Sequence, residues 1–200
     1  MKTILPAASI AVLLSSCYVS RKLDTTASIK IHSDFEVVLD EKCSEPKYIS
    51  NSTKSTYKNY FLDALKSEMK KNNLIPADSG NADYALTVTE FSVVENMNTE
   101  TVSDASSGEN GEKYEVHGCG VYFSGTLSKD GSNSGDLKAD ASKDEELTNR
   151  RTFFDWLFGV NKDHTSYHIK SLSSDVCSDL SSKCGKRACA VITKKIVKGK

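Results

Sequence analysis

The chain has 200 residues, of which 38% are hydrophobic and 26% are charged, and its formal net charge at pH 7 is −1. This composition and length predict one ordinary folded domain. The near neutrality argues against nucleic acid as a general partner, because proteins that bind the phosphate backbone carry a clear excess of Lys and Arg.

The first seventeen residues have the pattern of an export signal. Lys2 supplies a positive charge, and residues 4–14 form an apolar run that is too short to span a bilayer as a helix. The run ends in the tetrapeptide Leu14-Ser15-Ser16-Cys17, which resembles the lipobox of bacterial lipoproteins. An ordinary secretory signal with a coincidental cysteine is the alternative.

The lipobox resemblance implies cleavage before Cys17 and attachment of lipid to that residue, with two or three acyl chains that hold the protein on a membrane. Tyr18 is not the Asp of the inner-membrane retention signal in enteric-type sorting, so the outer membrane is the expected destination. Residues 1–16 are then the signal peptide, residues 17–28 a lipid-anchored tether, and residues 29–200 a single α+β domain.

Five cysteines remain beside the one assigned to lipid, an odd number that predicts at least one free thiol. Two of them, Cys177 and Cys184, fall on one predicted helix and lie about 10.5 Å apart along its axis, too far for a disulfide. Connectivity among the others stays open, and buried reduced thiols are an alternative. The five are Cys43, Cys119, Cys177, Cys184 and Cys189.

The first predicted elements are a strand and a helix. Residues 29–39 alternate loosely and are rich in β-branched side chains, which predicts a strand. Residues 53–71 carry one apolar stripe at helical spacing, which predicts a helix. Asn72-Asn73 offers a stop that tolerates left-handed backbone, and Pro76 prevents continuation.

Two long strands are predicted next, at residues 83–94 and 114–127. In the first, the apolar residues change phase, which predicts a bulge near Glu90. Residues 98–112 are rich in Ser, Thr, Gly and acids and are predicted to be a long, mobile connection between the two strands.

The last third of the chain predicts a turn, a strand and a helix. Residues 130–136 resemble a calcium loop, but Ala141 stands where an EF-hand needs its bidentate Glu, which favours a turn. Residues 166–172 predict a strand. Residues 174–197 predict an amphipathic helix in which Gly185 either costs about 1 kcal/mol or marks a break.

Catalytic and metal-binding motifs are absent from the sequence. His164 and His168 would lie about 13 Å apart on an extended segment, which does not favour a metal site. The carboxylates of residues 144–146 stand in a polar run and are expected to be solvated. We therefore predict no catalytic residue, no metal and no cofactor. A hydrolase with catalytic residues scattered along the sequence is the alternative that spacing does not detect.

Two surfaces are candidates for contact with a partner. The first is the aromatic segment, defined as Phe153, Phe154, Trp156, Leu157 and Phe158. It either completes the core or anchors another protein or the bilayer surface. The second is the basic surface, defined as Lys186, Arg187, Lys194, Lys195 and Lys198. Its cations either form a solvated helix face or contact anionic lipid or an acidic partner.

The order of elements predicts an α+β, two-layer sandwich in which an antiparallel sheet of about four strands is covered on one face by two helices. This layout resembles the small envelope lipoproteins of unknown function. The local sequence similarity lies in Lys-Lys-Asn-Asn-Leu-Ile-Pro at residues 70–76 and Asn-Ala-Asp-Tyr-Ala-Leu-Thr-Val at residues 81–88. The resemblance implies a non-enzymatic accessory or binding role in the cell envelope, with an envelope protein as partner. A small-molecule or lipid binding module is the alternative.

Overall fold

The computed structural model describes residues 22–77, 81–103, 109–149 and 167–199. Its architecture is α+β, with two helices and a mixed main sheet of six strands. The strands of this sheet are β1 (Ala27–His32), β2 (Val38–Lys42), β3 (Leu74–Ala77), β4 (Tyr84–Thr101), β5 (Lys113–Lys129) and β6 (Ser132–Asp144). The remaining elements are a 3-10 turn at Asn51–Thr53, α1 (Lys54–Lys71), α2 (Val176–Lys198), and the paired strands β7 (Glu146–Asn149) and β8 (Tyr167–Lys170).

The main sheet has the order β3-β1-β4-β5-β6, and β2 pairs with the middle of β4. β4, β5 and β6 form an antiparallel meander, whereas β1 lies parallel to both β3 and β4, and β2 lies parallel to β4. The expected sheet of about four antiparallel strands was therefore too small, and its purely antiparallel pairing was wrong. The register shift between Val88 and Glu90 confirms the predicted bulge.

Both helices pack on one face of the sheet. From α1, the buried Phe61 places its ring 4.7 Å from that of Phe91 on β4 and 5.3 Å from that of Phe123 on β5. The helix stops as predicted, because Asn73 adopts a φ of 61°. α2 packs beside α1 and over β5 and β6, and the core between these layers also includes Leu23, which precedes β1.

Gly185 does not break α2 but permits its close crossing with α1. A Cβ at this position would collide with the Phe61 carbonyl and would lie 3.0 Å from the Leu65 backbone nitrogen and 3.3 Å from the Ala64 Cβ. Since two of these three neighbours are backbone atoms, only a residue without a side chain fits here.

Three predicted segments differ from the structure. The single strand predicted at 29–39 is two strands, β1 and β2, which pair with successive parts of β4. The connection predicted at 98–112 is shorter, because β4 continues to Thr101 and β5 begins at Lys113. The strand predicted at 166–172 is β8, and it pairs with β7 outside the main sheet.

β6 was not predicted. Asp130 and Gly131, with φ of 50° and 77°, form the tight turn that joins it to β5. Only Leu137, Ala139 and Ala141 of this strand enter the core, so its apolar signal is weak.

Candidate functional site

A buried polar network lies at one end of the sandwich, beneath the loop of residues 43–50. Its centre is Glu95, whose side chain is fully buried among the core positions of β4. The Glu95 carboxylate accepts backbone N–H groups from Lys47 at 2.8 Å, Tyr48 at 2.9 Å and Ile49 at 3.1 Å. One charged side chain thus satisfies three donors of the loop, which fixes the loop against the sheet.

His117 on β5 adds the fourth contact of the same carboxylate. Its Nδ1 lies 2.7 Å from Glu95 Oε1, and its side chain is 4% exposed. The ring of Tyr48 packs edge-on against the imidazole with centroids 6.1 Å apart. A neutral His117 with its proton on Nδ1 donates to Glu95, and a protonated imidazole forms an ion pair with it.

Glu145 closes the network from the other side. It accepts the Tyr48 hydroxyl at 2.6 Å and the His117 backbone N–H at 2.8 Å, and Lys47 Nζ lies 4.0 Å away. Burial alone would raise the pKa of Glu145, but these hydrogen bonds and the Lys47 charge hold it below its ordinary value of 4.5. Burial and the bond to Glu145 raise the pKa of Tyr48 to about 12.

The expectation that residues 144–146 are solvated is therefore wrong for the middle residue. Asp144 and Glu146 are exposed, but Glu145 is 1% exposed. Its backbone N–H donates to the His117 carbonyl at the junction of β6 and β7, and its side chain faces inward.

One feature of the sequence does indicate this network. Glu95 stands in phase with the core residues Phe91 and Val93, and a charged side chain on the apolar phase of a strand needs buried partners.

Cys43 borders the network and is half-buried. Its Sγ, one Glu95 oxygen and one His117 ring nitrogen all lie within 4.8 Å of one another. Burial raises the pKa of the Cys43 thiol, and the charges of Glu95 and Glu41 raise it further. Cys43 is thus a partly exposed thiol beside a buried imidazole and a buried carboxylate.

The other four cysteines of the described residues are buried free thiols, so Cys177 and Cys184 are unpaired as predicted. A hydrogen bond with Cys177, followed by burial, raises the pKa of Cys119. Burial raises the pKa of Cys184 and of Cys189 to about 12. These thiols contribute to packing as small apolar groups.

The face of the sheet opposite the helices carries a polar groove around Tyr122. The Tyr122 side chain is 46% exposed and stands between two depressions of about 290 and 480 Å³. It leans over Gly120, where a Cβ would lie 2.9 Å from its ring. Polar groups from four strands surround it, and those used below are Lys42, Glu90, Asn96, Asn98, Lys138, Asp140 and Asp144.

Strand pairing places the groove residues in rows across the sheet. Asn96 on β4, Gly118 on β5 and Asp144 on β6 lie side by side in one row. Because Gly118 has no side chain, the Asn96 and Asp144 side chains converge above it, and the Asn96 amide donates to Asn98 Oδ1 at 2.9 Å. This arrangement presents amide and carboxylate groups beside one exposed aromatic ring.

The residues predicted to contact a partner differ in their exposure, and some lie outside the described residues. Lys186, Lys194 and Lys198 are exposed on α2, whereas Arg187 bonds to the Asp140 carbonyl at 2.5 Å and Lys195 is half-buried beside Gly135. Cys17, the predicted signal peptide of residues 1–16 and the aromatic segment 153–158 lie outside the described residues. Within the described residues, no helix is both long and apolar enough to cross a membrane.

The sequence matches no protein-family model and no curated protein sequence. The fold is similar to a neuraminyllactose-binding hemagglutinin homolog from Helicobacter pylori, with a TM-score of 0.50, 11% identity and 88% of each chain covered. Rare lipoprotein B from Shewanella oneidensis gives a TM-score of 0.36, with 11% identity over 81% of this chain and 96% of that one. A minor lipoprotein from Acinetobacter baumannii gives a TM-score of 0.39, with 10% identity over 86% of this chain and 94% of that one. The first similarity shows a shared fold alone.

Proposed function

We propose that this chain is a lipid-anchored, non-enzymatic binding protein of the bacterial envelope, and that the groove around Tyr122 binds a neutral saccharide. Support for the anchor comes from the lipobox-like Leu14-Ser15-Ser16-Cys17 and the apolar run before it. Lipid on Cys17 holds the domain at a membrane surface, where a tethered protein meets its ligands at high effective concentration.

The observation that carries the ligand class is the composition of the groove. Tyr122 offers an exposed flat ring, which suits the apolar C–H face of a sugar ring. Asn96, Asn98 and Asp144 offer amide and carboxylate groups beside it, which suit hydroxyl and acetamido groups. A site of this kind binds by orientation of a few polar groups around one aromatic surface.

The charges of the groove favour a neutral ligand over an acidic one. Glu90, Asp140 and Asp144 face it together with Lys42 and Lys138, and Lys42 is already paired with Asp40 at 2.9 Å. An anionic sugar would meet this excess of carboxylates, so we expect it to bind less tightly. The neuraminyllactose in the name of the H. pylori homolog supplies a saccharide class to test, and lactose is its neutral counterpart.

Two further contacts remain proposals. The aromatic segment, Phe153 to Phe158, is proposed to contact an envelope protein. The basic surface is proposed to face anionic head groups through its exposed members Lys186, Lys194 and Lys198. Contact of the basic surface with head groups is compatible with saccharide binding, because α2 packs on the opposite side of the sheet from Tyr122.

The test is calorimetric titration of a soluble version that lacks residues 1–17 with lactose, neuraminyllactose and a neutral N-acetylglucosamine oligomer. We expect the neutral saccharides to bind more tightly than neuraminyllactose, and Tyr122→Ala to weaken binding by about tenfold or more, which corresponds to roughly 1.4 kcal/mol. Tyr60→Ala is the matched control, because Tyr60 on α1 is 48% exposed and remote from the groove. Equal loss in both variants, or no binding of any of the three sugars, would contradict the proposal.

A further inference from the structure

The three donors that meet beside the loop of residues 43–50 form a set that can hold a metal ion. Cys43 follows β2, Glu95 lies on β4 and His117 lies on β5, so the fold brings them together from distant parts of the chain. Thiolate, imidazole and carboxylate are the three ligand types of protein-bound zinc. No motif spacing marks this site, because its three residues are far apart in the sequence.

The separations between the donors are close to those of a tetrahedral zinc site. Zinc bonds of about 2.0–2.3 Å place neighbouring ligand atoms about 3.3–3.7 Å apart. Here the Glu95 Oε1 to His117 Nδ1 distance is 2.7 Å, and all three donors lie within 4.8 Å of one another. The required adjustments are therefore about an ångström.

The surroundings already orient two of the ligands. Backbone N–H groups of Lys47, Tyr48 and Ile49 hold the Glu95 carboxylate, and the Tyr48 ring packs edge-on against the imidazole of His117. Ligands held in this way by a second layer of contacts bind metal more tightly than free ones.

The charge balance favours a dication. Two buried carboxylates, Glu95 and Glu145, lie in the network, and the Lys47 ammonium, 4.0 Å from Glu145, is the cation next to them. Metal binding converts the Cys43 thiol to a thiolate, with its proton released to solvent. His117 coordinates through Nδ1 as a neutral imidazole whose proton lies on Nε2, so the hydrogen bond between Nδ1 and Glu95 Oε1 is replaced by the bonds of both atoms to the metal.

We propose that Cys43, Glu95 and His117 bind one Zn²⁺ ion. Cys43 is half-buried whereas the other two ligands are buried, so the ion enters from the side of the loop and a water molecule completes its coordination there. This site lies on the helix-facing side of the sheet and does not depend on saccharide binding at Tyr122.

The experiment uses the full chain, purified in detergent, reduced and freed of metal, and titrated with Co²⁺ alone. We expect one Co²⁺ per chain, with visible bands of a tetrahedral ion and a thiolate-to-cobalt charge-transfer band, both removed by one equivalent of Zn²⁺. Absence of the charge-transfer band would overturn the proposal.

Two substitutions test whether Cys43 is the thiolate that binds the metal. Cys43→Ser is expected to abolish the charge-transfer band and to weaken zinc binding by about 10-fold or more. Cys189→Ser is the matched control, because this thiol lies on α2 beside Asn72, and it is expected to leave the band unchanged. Circular dichroism of both variants checks the fold, which a change at the half-exposed Cys43 should preserve. A band that survives Cys43→Ser would overturn the assignment.

Discussion

Glu95 Oε1 lies 2.7 Å from His117 Nδ1, and both side chains are removed from solvent. The contact joins β4 to β5, and through the other bonds of Glu95 it joins both strands to the loop of residues 43–50. A buried carboxylate is tolerated here because four donors surround it. The network therefore ties the loop of residues 43–50 to the two central strands of the sheet.

Replacement of that carboxylate is expected to destabilise the fold. Glu95→Gln removes the charge and turns an NH₂ group toward N–H donors, so at least one buried donor loses its acceptor. We expect a loss of about 2–4 kcal/mol in the free energy of unfolding, measured with urea. Glu90→Gln, an exposed site on the same strand, should change it by less than about 0.5 kcal/mol. Equal effects would contradict the assigned role of Glu95.

Gly185→Ala tests whether helix propensity or close packing with α1 determines the effect of this residue on stability. Helix propensity alone predicts that the free energy of unfolding rises by about 1 kcal/mol. A new Cβ would collide with the Phe61 carbonyl and crowd the Leu65 backbone nitrogen, so we expect a loss of about 1–3 kcal/mol instead. Gly199→Ala is the control, because its Cβ would meet no atom closer than 3.5 Å. A more stable Gly185→Ala protein would refute the close crossing.

The helices and the bulge were predictable because their signals are local. Tyr57, Phe61 and Leu65 recur at helical spacing within one segment, and each is buried. The strand β6 was not predictable in this way. It has charged residues on one face and two Ala with one Leu on the other, and it becomes a strand because β5 supplies a partner over its whole length.

The candidate sites show the same division. Glu95 and His117 occupy the apolar phase of their strands, which marks them as residues that need partners. Their partners come from Tyr48 and Glu145, 47 and 50 residues from Glu95, and no periodicity connects such positions. The groove at Tyr122 likewise arises only when β2 and β6 flank the central strands.

Acid should weaken the network through Glu145. Its pKa in the folded protein is lowered from 4.5, so its contribution to stability is complete above that value and is lost as pH falls through the folded pKa. We expect Glu145→Gln to destabilise the protein near pH 7 and to cost progressively less below about pH 4.5. The difference in urea unfolding midpoint between the wild type and Glu145→Gln, determined at several pH values, measures this cost. Glu146→Gln, at an exposed site, should show a small difference at every pH.

Thiol reactivity should separate Cys43 from the four buried cysteines. In metal-free protein carrying Cys17→Ala, we expect one thiol to react rapidly with an aromatic disulfide reagent, and all five to react after denaturation. Burial and raised pKa values protect Cys119, Cys184 and Cys189. Cys43→Ser should remove the rapid phase. Fewer than five thiols in the denatured protein would reveal a disulfide that the structure does not contain.

The anchor is tested by Cys17→Ala in cells. If Cys17 carries lipid, its acyl chains supply the membrane attachment, since each buried methylene contributes about 0.8 kcal/mol. We expect the variant to lose labelling by a fatty-acid analogue and to move from the membrane fraction to the soluble fraction. Cys43→Ala is the matched control and should remain labelled and membrane-bound, because it changes a cysteine within the folded domain. A Cys17→Ala protein that stays in the membrane fraction with unchanged electrophoretic mobility would contradict the lipobox reading of residues 14–17.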